Sequence, residues 1–443
     1  MRSVIALLLF SVSLPALTQP IAAQDAARRG DPGSAYDRAI SAAMDSMMAD
    51  PEAALVHSRR ALALTDRKTG PQQAVNRARA MWLNAEALIG LNNLTEAGKI
   101  ATEALAIVEK AEPGSKLNGD LLRSRGSVRA LSGDVKSALA DLQAAHETFR
   151  KAGIARSQAI VLLDLGQIYW EAGDYERTLS YYKQAVEIYN DDPGFGLSNH
   201  NNLGETYKML ERFADAEREY RLALKAAREL DSPLLETRIL SNLALVQIEM
   251  GKLAEASRTA DRAEALARGG EAAEWRRFVF GVQARLASER GDYARAAQLL
   301  DQAFDGAHLD TTDLVYREFH ELGAVVFEKL GQPGKALAHM RAFQRLESQA
   351  RELTATASSQ LMAAQFDFAN QNLRISELRQ GQLERDIRIE RQRSEFRTMA
   401  FIGIAVALVM LSGVVFAAFR GAYSETPAAS ADANCEEGSR ALG

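Results

Sequence analysis

Small and bulky residues alternate at helical spacing through the middle of the chain. Thr178 and Ala185, Ala216 and Ala223, Ala256 and Ala263, and Ala296 and Ala303 stand seven apart, with Tyr182, Tyr220 and Leu300 between them. Spacings of three, four and seven place residues on one face of an α-helix. Upstream of each set lies a leucine followed by a small residue, at Leu165-Gly166, Leu203-Gly204 and Leu243-Ala244, and Tyr169 and Tyr207 follow the first two steps. Between the two helices runs a turn of the pattern glycine, any residue, aromatic, two residues, small residue. It reads GDYERT at Gly173, ERFADA at Glu211, GKLAEA at Gly251 and GDYARA at Gly291, at intervals of 38 to 40.

The same turn recurs as GDVKSA at Gly133, GQPGKA at Gly331, NNLTEA at Asn92 and ADPEAA at Ala49. Eight helix pairs are therefore expected from about Asp37 to Leu346. Pro113, Pro193, Pro233 and Gly269-Gly270 fall between pairs, where a helix must stop. A small residue lets two helix backbones approach, and a bulky residue of the next helix fills the hole beside it. One pair cannot bury its apolar faces alone, so the pairs stack into an all-α solenoid.

These residues resemble the tetratricopeptide-repeat family. Leu165, Gly166, Tyr169, Tyr175, Tyr182 and Ala185 match its pattern in one unit, and Leu203, Gly204, Tyr207, Phe213, Ala216, Tyr220 and Ala223 in the next. Thr178 replaces the usual alanine, and Pro51 and Pro333 stand where an aromatic is usual. The period near forty exceeds the family's basic 34. The likeness covers residues 35–345 and implies a groove that binds peptides or proteins.

After the repeats, residues 346–398 hold one glycine and charges of both signs. Apolar residues recur at Leu346, Ala350, Leu353 and Ala357, then Met362, Phe366, Ala369 and Leu373, then Leu383 and Ile387, with a phase break resembling a stutter and with Ser376 and Gln380 in the seam. This predicts a long helix, roughly 80 Å, paired with a second copy as a parallel coiled coil or folded back alone on the repeats. Met399 to Phe419 then carries no charge and is long enough to span a bilayer.

The beginning of the chain bears on orientation. Arg2, the apolar run Val4 to Leu14 and Ile21-Ala22-Ala23 read as a secretory signal peptide, residues 1–23, or as an uncleaved anchor. Export followed by the span at 399–419 leaves a polar tail, 420–443, inside. The arginines at 385, 388, 391, 393 and 397 oppose this sense under the positive-inside tendency, but the first segment usually sets orientation. The layout is also similar to the exported tetratricopeptide half of bacterial membrane histidine kinases and diguanylate cyclases. That resemblance implies a bacterial inner-membrane protein with its repeats in the periplasm and its tail in the cytoplasm. The tail is too short for a catalytic domain, so the alternative reading is the sensor region of a truncated kinase or cyclase.

Charge and chemistry narrow this further. The net charge of −5 gives no basic excess for nucleic acid. One cysteine, Cys435, permits no internal disulfide. The six histidines fall in no metal-ligand spacing, and His320, between Glu318 and Glu321, reads as a surface residue. No phosphate loop or nucleophile elbow is present. Neither a cofactor nor an enzymatic activity is expected. The family resemblance places in the groove the residue just before the leucine-small step, here Asp164, Asn202 and Asn242, with Asn201, Glu205, Lys208, Arg285 and Trp170 beside them. An asparagine can bond both the carbonyl and the N–H of an extended peptide; the same polarity could also serve capping or a solvated helix surface. Tyr169, Tyr175 and Tyr182 are expected in the core, and Tyr181 and Tyr189 at its margin.

Overall fold

The computed structural model describes residues 34–424 except positions 48 and 66–69, and within the last helix the side chains of 368–379 and a few later positions are left out. The expected signal peptide, Cys435 and the tail from 425 lie outside the described residues, as do the side chains of Ala369, Leu373 and Ser376. The chain divides into two compact units, Met1–Phe366 and Asp367–Gly443.

The first unit is a series of antiparallel helix pairs. They are α1 (Ala35–Ser46) with α2 (Pro51–Thr65), α3 (Pro71–Gly90) with α4 (Leu94–Ala111), α5 (Lys116–Leu131) with α6 (Val135–Lys151), and α7 (Ala155–Glu171) with α8 (Tyr175–Ile188). Then come α9 (Pro193–Met209) with α10 (Phe213–Glu229), α11 (Pro233–Glu249) with α12 (Leu253–Leu266), α13 (Arg276–Glu289) with α14 (Tyr293–Ala303), and α15 (Arg317–Lys329) with α16 (Pro333–Ser424). Short 3₁₀ turns flank α13 and α15, and no strand occurs among the described residues. In the first seven pairs each helix packs on its pair partner, and each second helix packs on the first helix of the next pair, which is the expected solenoid. Pro51 and Pro333 each open a helix, where a missing N–H costs nothing.

The turn sequence works residue by residue. Gly133, Gly173 and Gly291 hold φ of +84°, +76° and +79° and end the first helix of their pairs. The next residue, Asp134, Asp174 or Asp292, accepts the N–H three positions on and caps the second helix. In the fifth pair Glu211 takes the left-handed position at φ +56° without a glycine.

Close helix contact explains the small residues. A Cβ added to Gly166 would lie 2.5 Å from the ring of Tyr182, and one added to Gly204 would lie 2.7 Å from that of Tyr220. Tyr182 and Tyr220 are fully buried. Both pairs are sixteen residues apart, and the same interval joins Gly126 to Leu142, Ala284 to Leu300 and Gly323 to His339. Tyr169 is buried, Tyr175 and Tyr181 are half-buried, and Tyr181 stacks on Tyr169 at 5.3 Å. Tyr189, at the end of α8, meets Phe195 edge-on at 5.4 Å.

Helix α16 changes one expectation. It runs without a break through 346, and Leu346 is fully buried inside the first unit. The buried or half-buried face continues through Ala350, Leu353, Ala357, Leu361 and Ala364. The expected seam therefore does not shift phase to Met362 and Phe366, which are 60% and 67% exposed. Its spacings are four, four and three, an eleven-residue period that stays on one side of a nearly straight helix. The seam expected for a second copy is taken up at Leu346 by the chain itself.

In the second unit the helix continues to Ser424. The stretch Gln382–Ala418 holds a segment long and apolar enough to cross a membrane. Its side chains, from Met399 through Phe416, are exposed.

Candidate functional site

The first helices of successive pairs carry polar side chains that meet one another. Trp82 Nε1 on α3 donates to Ser124 Oγ on α5 at 3.1 Å, and Ser124 also bonds Glu86. Arg123 Nε on α5 donates to Asp164 Oδ2 on α7 at 2.6 Å. Asn242 Nδ2 on α11 donates to Asn201 Oδ1 on α9 at 3.2 Å. Arg285 on α13 pairs with Glu249 on α11 at 3.3 Å and with Glu289 at 3.2 Å. The partners are separated by about one repeat, so the periodicity that builds the solenoid also aligns the polar rows.

Of the sequence-predicted residues, α9 gathers Asn201, Asn202, Glu205 and Lys208. Asn201 and Asn202 are buried, 6% and 8% exposed, because neighbouring helices flank α9 on both sides. Lys208 Nζ pairs with Glu205 Oε2 at 2.9 Å, and the hydroxyl of Tyr220 donates to Glu205 Oε1 at 2.6 Å. Burial works against the Lys208 ammonium, but Glu205 and Glu318 outweigh it and raise its pKa above the usual lysine value. Trp170 is half-buried and meets Tyr175 edge-on at 6.2 Å. Asp164, Asn242 and Arg285 are half-buried and already bonded to neighbouring pairs. A ligand would add bonds to this ladder by using the second lone pair of each carbonyl or carboxylate oxygen.

Near the turn of the fourth pair, burial pushes the Glu171 carboxyl up to about 7, against a 3.0 Å bond from Gln167 Nε2. His200 on α9 is buried with Nδ1 2.8 Å from Glu219 Oε2.

The surface placement expected for His320 is wrong. His320 is fully buried, and His339 is 5% exposed. Their Nδ1 atoms lie 3.0 Å apart, and His320 Nε2 lies 2.8 Å from Thr312 Oγ1. Thr312 donates its only hydroxyl proton to Leu309 O at 2.9 Å, so the network assigns the proton of His320 to Nε2 and that of His339 to Nδ1. Phe304 and Phe327 pack on the two rings. Burial, joined by His339 and Arg345, pushes the pKa of His320 down to about 3; burial takes that of His339 down to about 4. The sixteen-residue interval from Gly323 was the signal: it places His339 where Tyr182 and Tyr220 stand. Among the described residues, no three His, Cys, Asp or Glu side chains are grouped to hold a metal ion.

Helix pairs of this length, turn chemistry and interlock make a solenoid of the tetratricopeptide-repeat type. The family model, described as a tetratricopeptide repeat, matches residues 117–191, the third and fourth pairs. No curated protein matches the chain. Among solved structures it is similar to the apo form of RapI, at 13% identity over 74% of this chain and 91% of that one, with a TM-score of 0.56. It is likewise similar to the apo form of the quorum sensor NprR from B. thuringiensis, at 15% identity over 73% and 91%, with a TM-score of 0.55. At such identity the likeness is one of fold.

Proposed function

We propose that this chain is a non-enzymatic binding scaffold that takes a peptide or protein on the polar ladder of its first helices and acts as a signal-input module. The observation that carries the reading is the clustering of Asn201, Asn202, Glu205 and Lys208 on α9, with Asp164, Trp170, Asn242 and Arg285 on the first helices to either side. Stacked repeats present such rows along one extended surface. One of the two similar structures is a quorum sensor, which fits a receiving role. The apolar segment within Gln382–Ala418 supports a single membrane span. With the start of the sequence read as an export signal, the repeats lie in the periplasm of a bacterial cell and the tail in the cytoplasm. Leu383 and Ile387 are exposed and offer the face for a parallel homodimer.

The test is a peptide array probed with full-length protein in detergent. Asn202→Ala/Asn242→Ala should lose the peptides that the wild type retains, with helicity unchanged at the assay temperature even though loss of the Asn242–Asn201 bond lowers the melting point. Retention of the same peptides by the double variant would remove the ladder from the binding site.

A further inference from the structure

Leu361 and Ala364 are 4% and 1% exposed although they lie 28 and 31 residues beyond the start of α16 at Pro333. That distance is about 42 Å of helix. Its pair partner α15 has 13 residues, about 20 Å, and cannot cover them. The cover comes from earlier pairs. A Cβ on Gly133, in the turn of the third pair, would lie 2.9 Å from Gln360 Nε2, and one on Gly173, in the turn of the fourth pair, 3.4 Å from Thr354 Cγ2. Thr354 and Gln360 are six residues apart, about 9 Å along a helix, one helix-packing distance. Glu318 and Arg317 on α15 act on Lys208 of the fifth pair. The last helices thus run back past the fifth, fourth and third pairs in turn.

We propose that the turns of the third and fourth pairs form a docking surface for an amphipathic helix, that residues 350–364 of this same chain occupy it, and that the occupant is exchangeable. The side chains it takes are small and apolar, Ala350, Leu353, Ala357, Leu361 and Ala364, at spacings of three and four, the pattern of helix-in-groove recognition. Glycine at both turns leaves room for a side chain of the helix, Gln360 at Gly133 and Thr354 at Gly173. The contact is rich in alanine and has Leu361 as its one deeply buried large side chain. So little buried apolar area fits a segment that opens locally while the solenoid stays folded. This surface is separate from the asparagine ladder and recognises a helix, not an extended peptide.

The experiment uses full-length protein in detergent and a labelled synthetic peptide of residues 350–366 as the probe. Ala364→Glu places a charge in the contact, and Ala363→Glu places the same charge on the exposed neighbour. Ala364→Glu should raise amide exchange across 350–366 at least tenfold, leave exchange in 233–300 unchanged, and admit the peptide; Ala363→Glu should do none of this. Gln360→Ala, which cannot harm helix formation, should raise exchange to a smaller extent. Unchanged exchange in both Ala364→Glu and Gln360→Ala overturns the docking. Equal effects of Ala363→Glu overturn the assigned face. A released helix whose site still refuses the peptide overturns exchangeability. None of these readouts passes through Asn202 or Asn242, so failure of the ladder reading would leave them intact.

Discussion

The fourth and eighth helix pairs solve one packing problem with different chemistry. In each, a glycine on the first helix faces a ring sixteen residues later: Tyr182 opposite Gly166, His339 opposite Gly323. The tyrosine is held neutral, since burial raises its pKa further above neutrality, and no ordinary pH charges it. The histidine has the same place and a similar burial, but its unfolded form takes a proton near pH 6.5. Identical geometry therefore yields a pH-indifferent ring in one place and an acid-labile one in the other. The lability extends to a second residue, because His339 shares a bond with His320.

The largest effect should separate the two pairs by pH. His320 and His339 stay neutral in the fold down to about 3 and 4, while the unfolded imidazoles protonate near 6.5. In that window the unfolded state binds more protons, so stability falls as pH drops from 6.5 to 4 and changes little on this account below 3. The pair taken as one should lose roughly 3 kcal/mol. Protonation of His320 would also set two N–H groups against each other across 3.0 Å, whereas a proton added to His339 goes to its Nε2, away from that contact. Amide exchange over 317–345 should rise on acidification while that over 155–190 does not, since the raised Glu171 carboxyl favours that pair in acid, and His339→Phe should flatten the slope by about half. A uniform rise in both regions would erase the contrast.

Next in size, Gly166→Ala forces a Cβ to within 2.5 Å of the Tyr182 ring and should cost about 2 kcal/mol in urea unfolding. Adding Tyr182→Leu should recover most of it, because Ala284 and Leu300 already form such a pair at the same interval. If the double variant is no better than the single one, glycine serves something other than ring clearance. The smallest effect is a gain. Glu211 holds φ +56°, and Glu211→Gly should raise the melting midpoint through about 1 kcal/mol of relieved backbone strain. No gain would mean that the Glu211 side chain compensates.

The sequence was legible where a contact is local or periodic. Glycine-aspartate turns, the sixteen-residue interlock and the order of pairs all follow from residues close in the chain or one period apart. His339 was hidden because the pattern asks for an aromatic there, and a histidine read alone suggests a surface. The path of α16 was hidden for another reason. Its eleven-residue stripe resembles two heptad sets with a slip between them, and only the turns of two distant repeats decide which face is covered. The ladder was half legible. Asp164, Asn202 and Asn242 hold matched positions in the sequence, but Asp164 is taken by Arg123, and Asn242 bonds Asn201, the residue before the matched one.

The stripe on α16 has a consequence for how the chain can change length. Removing one residue between Ala342 and Thr354 turns everything after it by about 100° and carries Thr354 and Gln360 away from the turns at Gly173 and Gly133. Adding eleven returns the face to its place but moves it about 16 Å along the axis, past the third pair. The helix is in this respect a vernier: phase and reach are read together, and only one length satisfies both.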